Sequence, residues 1–220
     1  MILKTILQDS KQKGSIGDKF RTKRFAYFEK LISTLPRPIR ILDVGGTEDF
    51  WVNRSYNKKE DIKITLLNLK TIITNDKNIT SIIGDATDLS LFKENHFDIV
   101  FSNSVIEHLY NFKNQQKMAQ EVQRVGIYHF IQTPNKYFLI EPHFLFPLFQ
   151  FLPKSLKYLL LTKTKLSRGR KWNKKFAKEY IQEIRLLSLK EMKYLFPNSK
   201  NKTERFLGMS KSYTLHNINY

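Results

Sequence analysis

Four short segments of this sequence carry side chains able to do chemistry. Asp43-Val-Gly45-Gly46-Thr47-Glu-Asp49 sets a carboxylate just before two glycines. Glycine tolerates positive φ and lets backbone approach a ligand closely. Gly84-Asp85-Ala86-Thr-Asp-Leu89 repeats the theme of a carboxylate after an apolar run. Ser102-Asn103-Ser104-Val-Ile-Glu107-His108 brings amide, hydroxyl, carboxylate and imidazole together, and Glu141-Pro-His143 puts two more polar groups inside a strongly apolar stretch. Imidazole titrates near neutral pH, so His108 and His143, with Glu107 beside them, are the candidate proton carriers. The chain has no cysteine. That excludes a disulfide scaffold, thiolate zinc sites and a cysteine nucleophile.

The elements that must position these groups are legible as short apolar runs. Ile39–Val44, Ile62–Leu67, Ile79–Ile83, Phe97–Phe101 and Ile127–Ile131 are rich in β-branched or aromatic residues and apolar on both faces. Strands buried on both faces read this way, which predicts a parallel sheet covered by helices. Ahead of them, Phe25, Phe28, Leu31 and Ile32 recur at helical spacing, predicting a helix over 20–35 with Lys19, Arg21, Lys23 and Arg24 on its solvent face and Pro36 as its stop. Met118, Val122 and Val125 mark a helix within 104–125, and Ser104-x-x-Glu107 reads as a capping box. A second capping box, Ser188-x-x-Glu191, opens a helix ending before Pro197. Two closing strands, 203–207 and 212–217, flank Gly208. Alternating β and α elements predict an open, doubly wound α/β sheet, in which ligands bind at the carboxyl ends of the strands.

Taken in order, these segments resemble the class I S-adenosylmethionine-dependent methyltransferases with a type-11-like domain. DVGG after the first strand, GDATDL after the third, the FDIVFSNSVIEHL run and the TPN turn at Thr133–Asn135 carry the resemblance. It implies a Rossmann-like fold with a seven-stranded, mostly parallel sheet and an antiparallel C-terminal strand. It also implies S-adenosylmethionine as cofactor, held by Asp43, Gly45, Gly46, Thr47, Asn68, Asp85, Ala86, Asn103 and Ser104. Asp85 would accept from the adenine amino group, with the Ala86 N–H at a ring nitrogen; Asn103 and Ser104 would flank the methionine part. Thr47 and Asp49 stand where the family pattern has glycines, which argues against a pyrophosphate-binding dinucleotide site. Asn68 stands where the family usually has an acid; its amide oxygen can still accept one ribose hydrogen bond.

Some small-RNA and quinone O-methyltransferases carry Glu-x-x-Glu-His at the fourth segment and hold a divalent metal, some with a further histidine. Glu107, His108 and His143 match that pattern, but Ser104 replaces its first carboxylate. Losing an anionic oxygen ligand makes a poorer Mg²⁺ site. The expectation is therefore no metal.

The net charge of +18 is concentrated in the second half of the chain: residues 111–220 hold 21 basic and 6 acidic side chains. Residues 154–178 alone hold 10 basic residues and no acid. The sequence reads as a single domain over 1–220, with a basic N-terminal helix within 1–38 and an aromatic, basic insertion over 137–183. The insertion reads as a lid or as an acceptor-side surface. Aromatic rings beside Lys and Arg also suit an anionic membrane surface met through 137–178. Nucleic acid suits these charges less well, because no stacking-platform motif accompanies them. MILKTILQDSKQKG lacks the apolar core of a secretory signal, and no apolar run is long enough to span a bilayer. The expected location is cytoplasmic, peripheral at the inner membrane face in the membrane reading.

The functional expectation is methyl transfer to an oxygen or nitrogen of a small-molecule, glycan or lipid-linked acceptor. The alternatives are a non-catalytic binding or scaffold protein on the same fold, motivated by Thr47, Asp49 and Asn68, and an RNA methyltransferase.

Overall fold

The computed structural model describes residues 14–219. The first 13 residues, part of the predicted basic N-terminal region, lie outside it. Helix α1 (Ile16–Ile32) begins at Ser15, whose side chain accepts from the Asp18 N–H, and leads into β1 (Ile39–Val44). A short α2 (Glu48–Val52), β2 (Ile62–Asn68), β3 (Ile79–Ile83), β4 (Phe97–Asn103), α3 (Phe112–Val125) and β5 (Gly126–Pro134) follow. The insertion holds a two-residue pair, β6 (Ile140–Glu141) with β7 (Phe146–Pro147), then α4 (Lys154–Lys163) and α5 (Lys174–Glu183). Helix α6 (Leu189–Leu195) and the hairpin β8 (Lys200–Phe206) and β9 (Met209–His216) complete the chain.

Seven strands form one sheet in the order β3-β2-β1-β4-β5-β9-β8. β1 to β5 run parallel, and β9 is antiparallel to both neighbours. This is the Rossmann-like doubly wound sheet expected, with each of the five parallel strands where its apolar run lay. The order reverses between β1 and β4, so a crevice opens where their carboxyl ends diverge.

Each face of the sheet buries its own core. On one, Leu42, Val44, Val100 and Ile131 pack against Met118 and Val122 of α3 and Met192 and Leu195 of α6. On the other, Ile41, Ile64, Ile99 and Phe130 pack under Phe25, Phe28, Leu31 and Ile32 of α1. Phe28 lies edge-on to Phe101 and Phe130 at 5.0 and 5.1 Å between centroids, a preferred aromatic geometry. The insertion forms a third core, from Phe144, Phe149, Leu161, Trp172, Ala177 and Ile181. Among the described residues, no helix is long and apolar enough to cross a membrane.

Two local expectations fail. Arg24, placed on the solvent face of α1, is buried. Ser104-x-x-Glu107 is not a capping box. Ser104 sits at φ 61° with its hydroxyl donating to Gln132 Oε1, and Ile106–His108 form only a 3-10 turn. The Glu107 carboxylate turns inward and takes a hydrogen bond from Thr133 of β5, so a non-local partner overrides the local capping pattern. The capping box at Ser188 and Glu191 forms as expected.

Candidate active site

The carboxyl edge of the sheet gathers nearly every residue singled out by its chemistry. At the end of β1, Gly45 adopts φ +75°, and a Cβ there would come within 2.5 Å of Val105 Cγ2. A Cβ on Gly46 would lie 1.7 Å from Asp43 Oδ2. These two positions need glycine for different reasons: one for its backbone angle, the other because a buried carboxylate occupies the space. Asp43 is 2% exposed and accepts from Trp51 Nε1 at 2.7 Å. Burial lifts its carboxyl to about 7, with the indole donor pulling the other way. Asp43 therefore supports the loop from beneath. Thr47 is exposed at the start of α2.

One strand over, Asn68 donates to Gly46 O at 3.0 Å, which orients its amide across the β1 loop. Beyond it, Leu69 and Ile83 are largely exposed apolar side chains flanking the ends of β2 and β3. Asp85 is exposed; its Oδ1 accepts from the Thr87 N–H and hydroxyl in a tight turn. Ala86 is buried against the sheet.

β4 ends in Asn103, whose amide oxygen accepts from Arg24 Nη1. Arg24 also grips Glu204 of β8 through two nitrogens, at 2.9 and 2.7 Å, and Ser212 of β9 donates to the same carboxylate. Glu204 lies below the usual carboxylate range: burial pushes it up, and the Arg24 guanidinium more than offsets that. Burial brings the neighbouring Lys211 ammonium down to about 8 while Glu204 opposes the fall. This clasp was not legible in the sequence. Its partners lie 180 residues apart, and each reads locally as a surface charge.

Toward the insertion, the same edge holds Glu107, His108 and His143, brought together from the β4 turn and the insertion. One candidate ligand atom from each lies within 4.8 Å of the others. Glu107 is fully buried, and its Oε2 accepts from Thr133 at 3.0 Å. His143 Nδ1 meets Glu141 Oε1 at 2.7 Å, and His108 Nδ1 meets Glu183 Oε1 at 2.6 Å. Burial would lower the His143 imidazole, but hydrogen bonding and charge from Glu141, with Glu107 adding charge, outweigh it and hold the ring above its usual value. Glu141 and Thr133, unassigned from the sequence, thus join the site as partners. So does Glu183, for which no local signal existed.

Residues 61–127 match a family model described as a methyltransferase domain. No curated protein matches the chain. Among solved structures, a SAM-dependent methyltransferase from Methanosarcina mazei superposes with a TM-score of 0.54 at 14% identity, covering 85% of this chain and 95% of that one. A Pyrococcus horikoshii protein gives 0.53 at 16% identity, covering 94% and 92%. A chain from the Haloferax volcanii complex of the Trm112 methyltransferase activator with a methyltransferase gives 0.53 at 9% identity, covering 91% and 92%. At these identities the structural likeness is one of fold. Residues 61–127 are thus similar to a methyltransferase domain, and the sheet as a whole has the fold of the solved structures it superposes on.

Proposed function

We propose that this enzyme methylates an oxygen or nitrogen of a small-molecule, glycan or lipid-linked acceptor that enters between the β4–β5 edge and the insertion. The observation that carries this reading is the Glu107, His108 and His143 cluster on the acceptor side of the cofactor edge. When bound, S-adenosylmethionine supplies a sulfonium-activated methyl group.

The chain's own residues fit such a cofactor. Gly45 and Gly46 let the loop after β1 turn tightly over Asp43 and beside Val105, leaving its backbone to meet a ligand, and Thr47 follows them. Asn68 keeps its amide oxygen free of partners among the described residues while its NH₂ is tied to Gly46, so the oxygen is set to accept from a ribose hydroxyl. Leu69 and Ile83 offer apolar surface for a purine, and Asp85 offers a carboxylate oxygen beside the Ala86 N–H. Asn103 and Ser104 are immobilised by Arg24 and Gln132, and they border the methionine end. Holding donor and nucleophile in line does most of the work in such a displacement. A hydroxyl acceptor must also lose its proton, and the Glu107, His108 and His143 cluster manages that charge.

A cavity of about 150 Å³ adjoins this cluster at Glu141, lined by Phe144 and Phe149 together with Lys136, Lys157 and Arg185. Cations beside aromatic rings suit an acceptor with an anionic and an apolar part. Isothermal titration of the full chain with S-adenosylhomocysteine is expected to show one site, weakened about tenfold in Asp85→Ala by loss of a charge-assisted hydrogen bond. Absence of binding in folded protein would overturn the reading.

A membrane-facing role has its own support. Leu148, Phe151, Leu156 and Leu159 are each about half exposed, next to Lys154 and Lys163. Anionic liposomes are expected to co-sediment the enzyme at low salt and release it at high salt. Equal sedimentation with neutral lipid would count against that role.

A further inference from the structure

We infer that the cavity of about 150 Å³ beside Glu141 is a subsite for a phosphate monoester, with Lys136 and Lys157 taking the charge and Phe144, Phe149 and Ile181 taking the apolar stem. Under the methyl-transfer reading, on which this role rests, the subsite holds the acceptor by its phosphate while Glu141, in the same wall, steadies His143. One water occupies roughly 30 Å³ of the liquid, so the cavity has room for a phosphoryl group and a short stem. The rest of such an acceptor lies outside it.

The three cations in its wall are not alike. Arg185 is already neutralised: its Nη2 pairs with Glu191, and its Nη1 donates to Gln115 Oε1 at 2.7 Å. Lys157 forms no ion pair among the described residues. Its ammonium donates to the Gln150 carbonyl at 3.1 Å and stands 5.7 Å from the centre of the Phe149 ring. Lys136 likewise forms no ion pair among the described residues, and its ammonium lies 5.9 Å from the Tyr137 ring centre. Glu141 shares the wall but is engaged elsewhere, one oxygen at His143 Nδ1 and the other accepting from the Phe144 N–H, both at 2.7 Å. Burial holds the Lys157 ammonium below its usual value; the Glu141 charge opposes this, and Lys154 adds to it. An ammonium that loses water without gaining an anion is costly, and a bound anion relieves the cost. Two unmatched ammonium groups call for one dianion, the form a phosphate monoester takes near neutral pH because its second pKa is about 6. A carboxylate would leave one of them unmatched.

The helix that carries Lys157 strengthens the field. α4 opens at Pro153 without a capping side chain and has no acid in its first turn, where Lys154 stands instead. Helix N-termini favour negative charge, so a start of this kind is the reverse of the usual distribution. The same chain does place acids in the first turns of α2 and α6. Opposite the cations, Phe144, Phe149 and Ile181 are buried members of the insertion's own core, with the two rings 4.3 Å apart. Their packing is complete without a ligand, so the apolar wall is preformed.

Binding is read without turnover. The full chain is titrated by calorimetry with butyl phosphate, inorganic phosphate and butyrate. Butyl phosphate is expected to bind once per chain, at least about tenfold tighter than inorganic phosphate, which lacks the stem, or butyrate, which carries one charge. Lys136→Met and Lys157→Met keep the apolar stem of each side chain and should each weaken it about tenfold. Lys163→Ala, an exposed lysine of α4 outside the cavity wall, should leave it unchanged. Both wall lysines are partly exposed, so their variants should keep the wild-type circular dichroism, and Lys157→Met should melt no lower than wild type because it removes a half-buried charge. No saturable binding of butyl phosphate, equal affinity for butyrate, or affinity unchanged in both lysine variants would each overturn the assignment. Given binding, competition by vesicles of phosphatidic acid assigns the phosphate to a lipid, and its absence assigns it to a soluble acceptor. Parallel titration with S-adenosylhomocysteine separates the two readings. Butyl phosphate binding without cofactor binding sustains the subsite and sinks the methyl-transfer proposal; the converse sinks the subsite alone.

Discussion

Arg24→Ala is expected to cost about 3–5 kcal/mol of folding stability, a large share of what a domain this size possesses. The reason is what it leaves behind. Both side chains of the Arg24–Glu204 pair are at most 10% exposed, so truncating the guanidinium strands a buried carboxylate. Arg24→Lys should recover only part of the loss, because one ammonium cannot span both Glu204 oxygens and the Asn103 amide at once. The double variant Arg24→Met/Glu204→Leu should recover most of it, since an apolar pair needs no compensation. Urea titrations check this through the midpoint at constant slope. A loss under about 1 kcal/mol for Arg24→Ala would show that water reaches Glu204 and that the pair behaves as a surface one.

Gly46→Ala is the second large effect. The new methyl would overlap Asp43 Oδ2, and Asp43 cannot retreat, being buried and held by Trp51. Overpacking of this kind costs about 1–3 kcal/mol, and the top of that range is expected here. The loop that must move is the one proposed to receive the cofactor, so S-adenosylhomocysteine binding should fall at least about tenfold, equivalent to 1.4 kcal/mol. Gly84→Ala is the control. Its methyl would meet Leu67 Cδ1 at 2.6 Å, the far end of an apolar side chain rather than a buried carboxylate, so a smaller loss is expected. Calorimetry showing equal cofactor affinity in Gly46→Ala and wild type would refute the role given to this loop.

These two predictions also mark what the sequence could and could not disclose. The five parallel strands were legible because strands buried on both faces must be apolar throughout, and β-branched runs such as Ile39–Val44 have few other uses. Ser188 and Glu191 were legible because a capping box is complete within four residues. Asp43, Gly45, Gly46, Asn68 and Asp85 all reached the carboxyl edge, since each directly ends or follows a strand. Arg24 was misplaced because burial of a charge depends on a partner, and Glu204 arrives from the far end of the chain. Ser104 and Glu107 satisfied a local pattern, yet Gln132 and Thr133 of β5 offered hydrogen bonds that captured both side chains. Glu183 gave no signal, because its role exists only once α5 lies beside His108. Local patterns therefore located the residues at the carboxyl edge, and long-range pairing gathered Glu107, His108 and His143.

The third core, which Phe144, Phe149, Leu161, Trp172, Ala177 and Ile181 form apart from the two sheet cores, makes the insertion an exchangeable cassette. Its apolar side chains pack on one another rather than into either sheet core. Yet it delivers His143 to within 3.9 Å of Glu107 at the carboxyl edge of the sheet, with Glu141 holding its ring. If the insertion receives the acceptor as proposed, selection on this one segment retunes the acceptor without renegotiating the loop after β1.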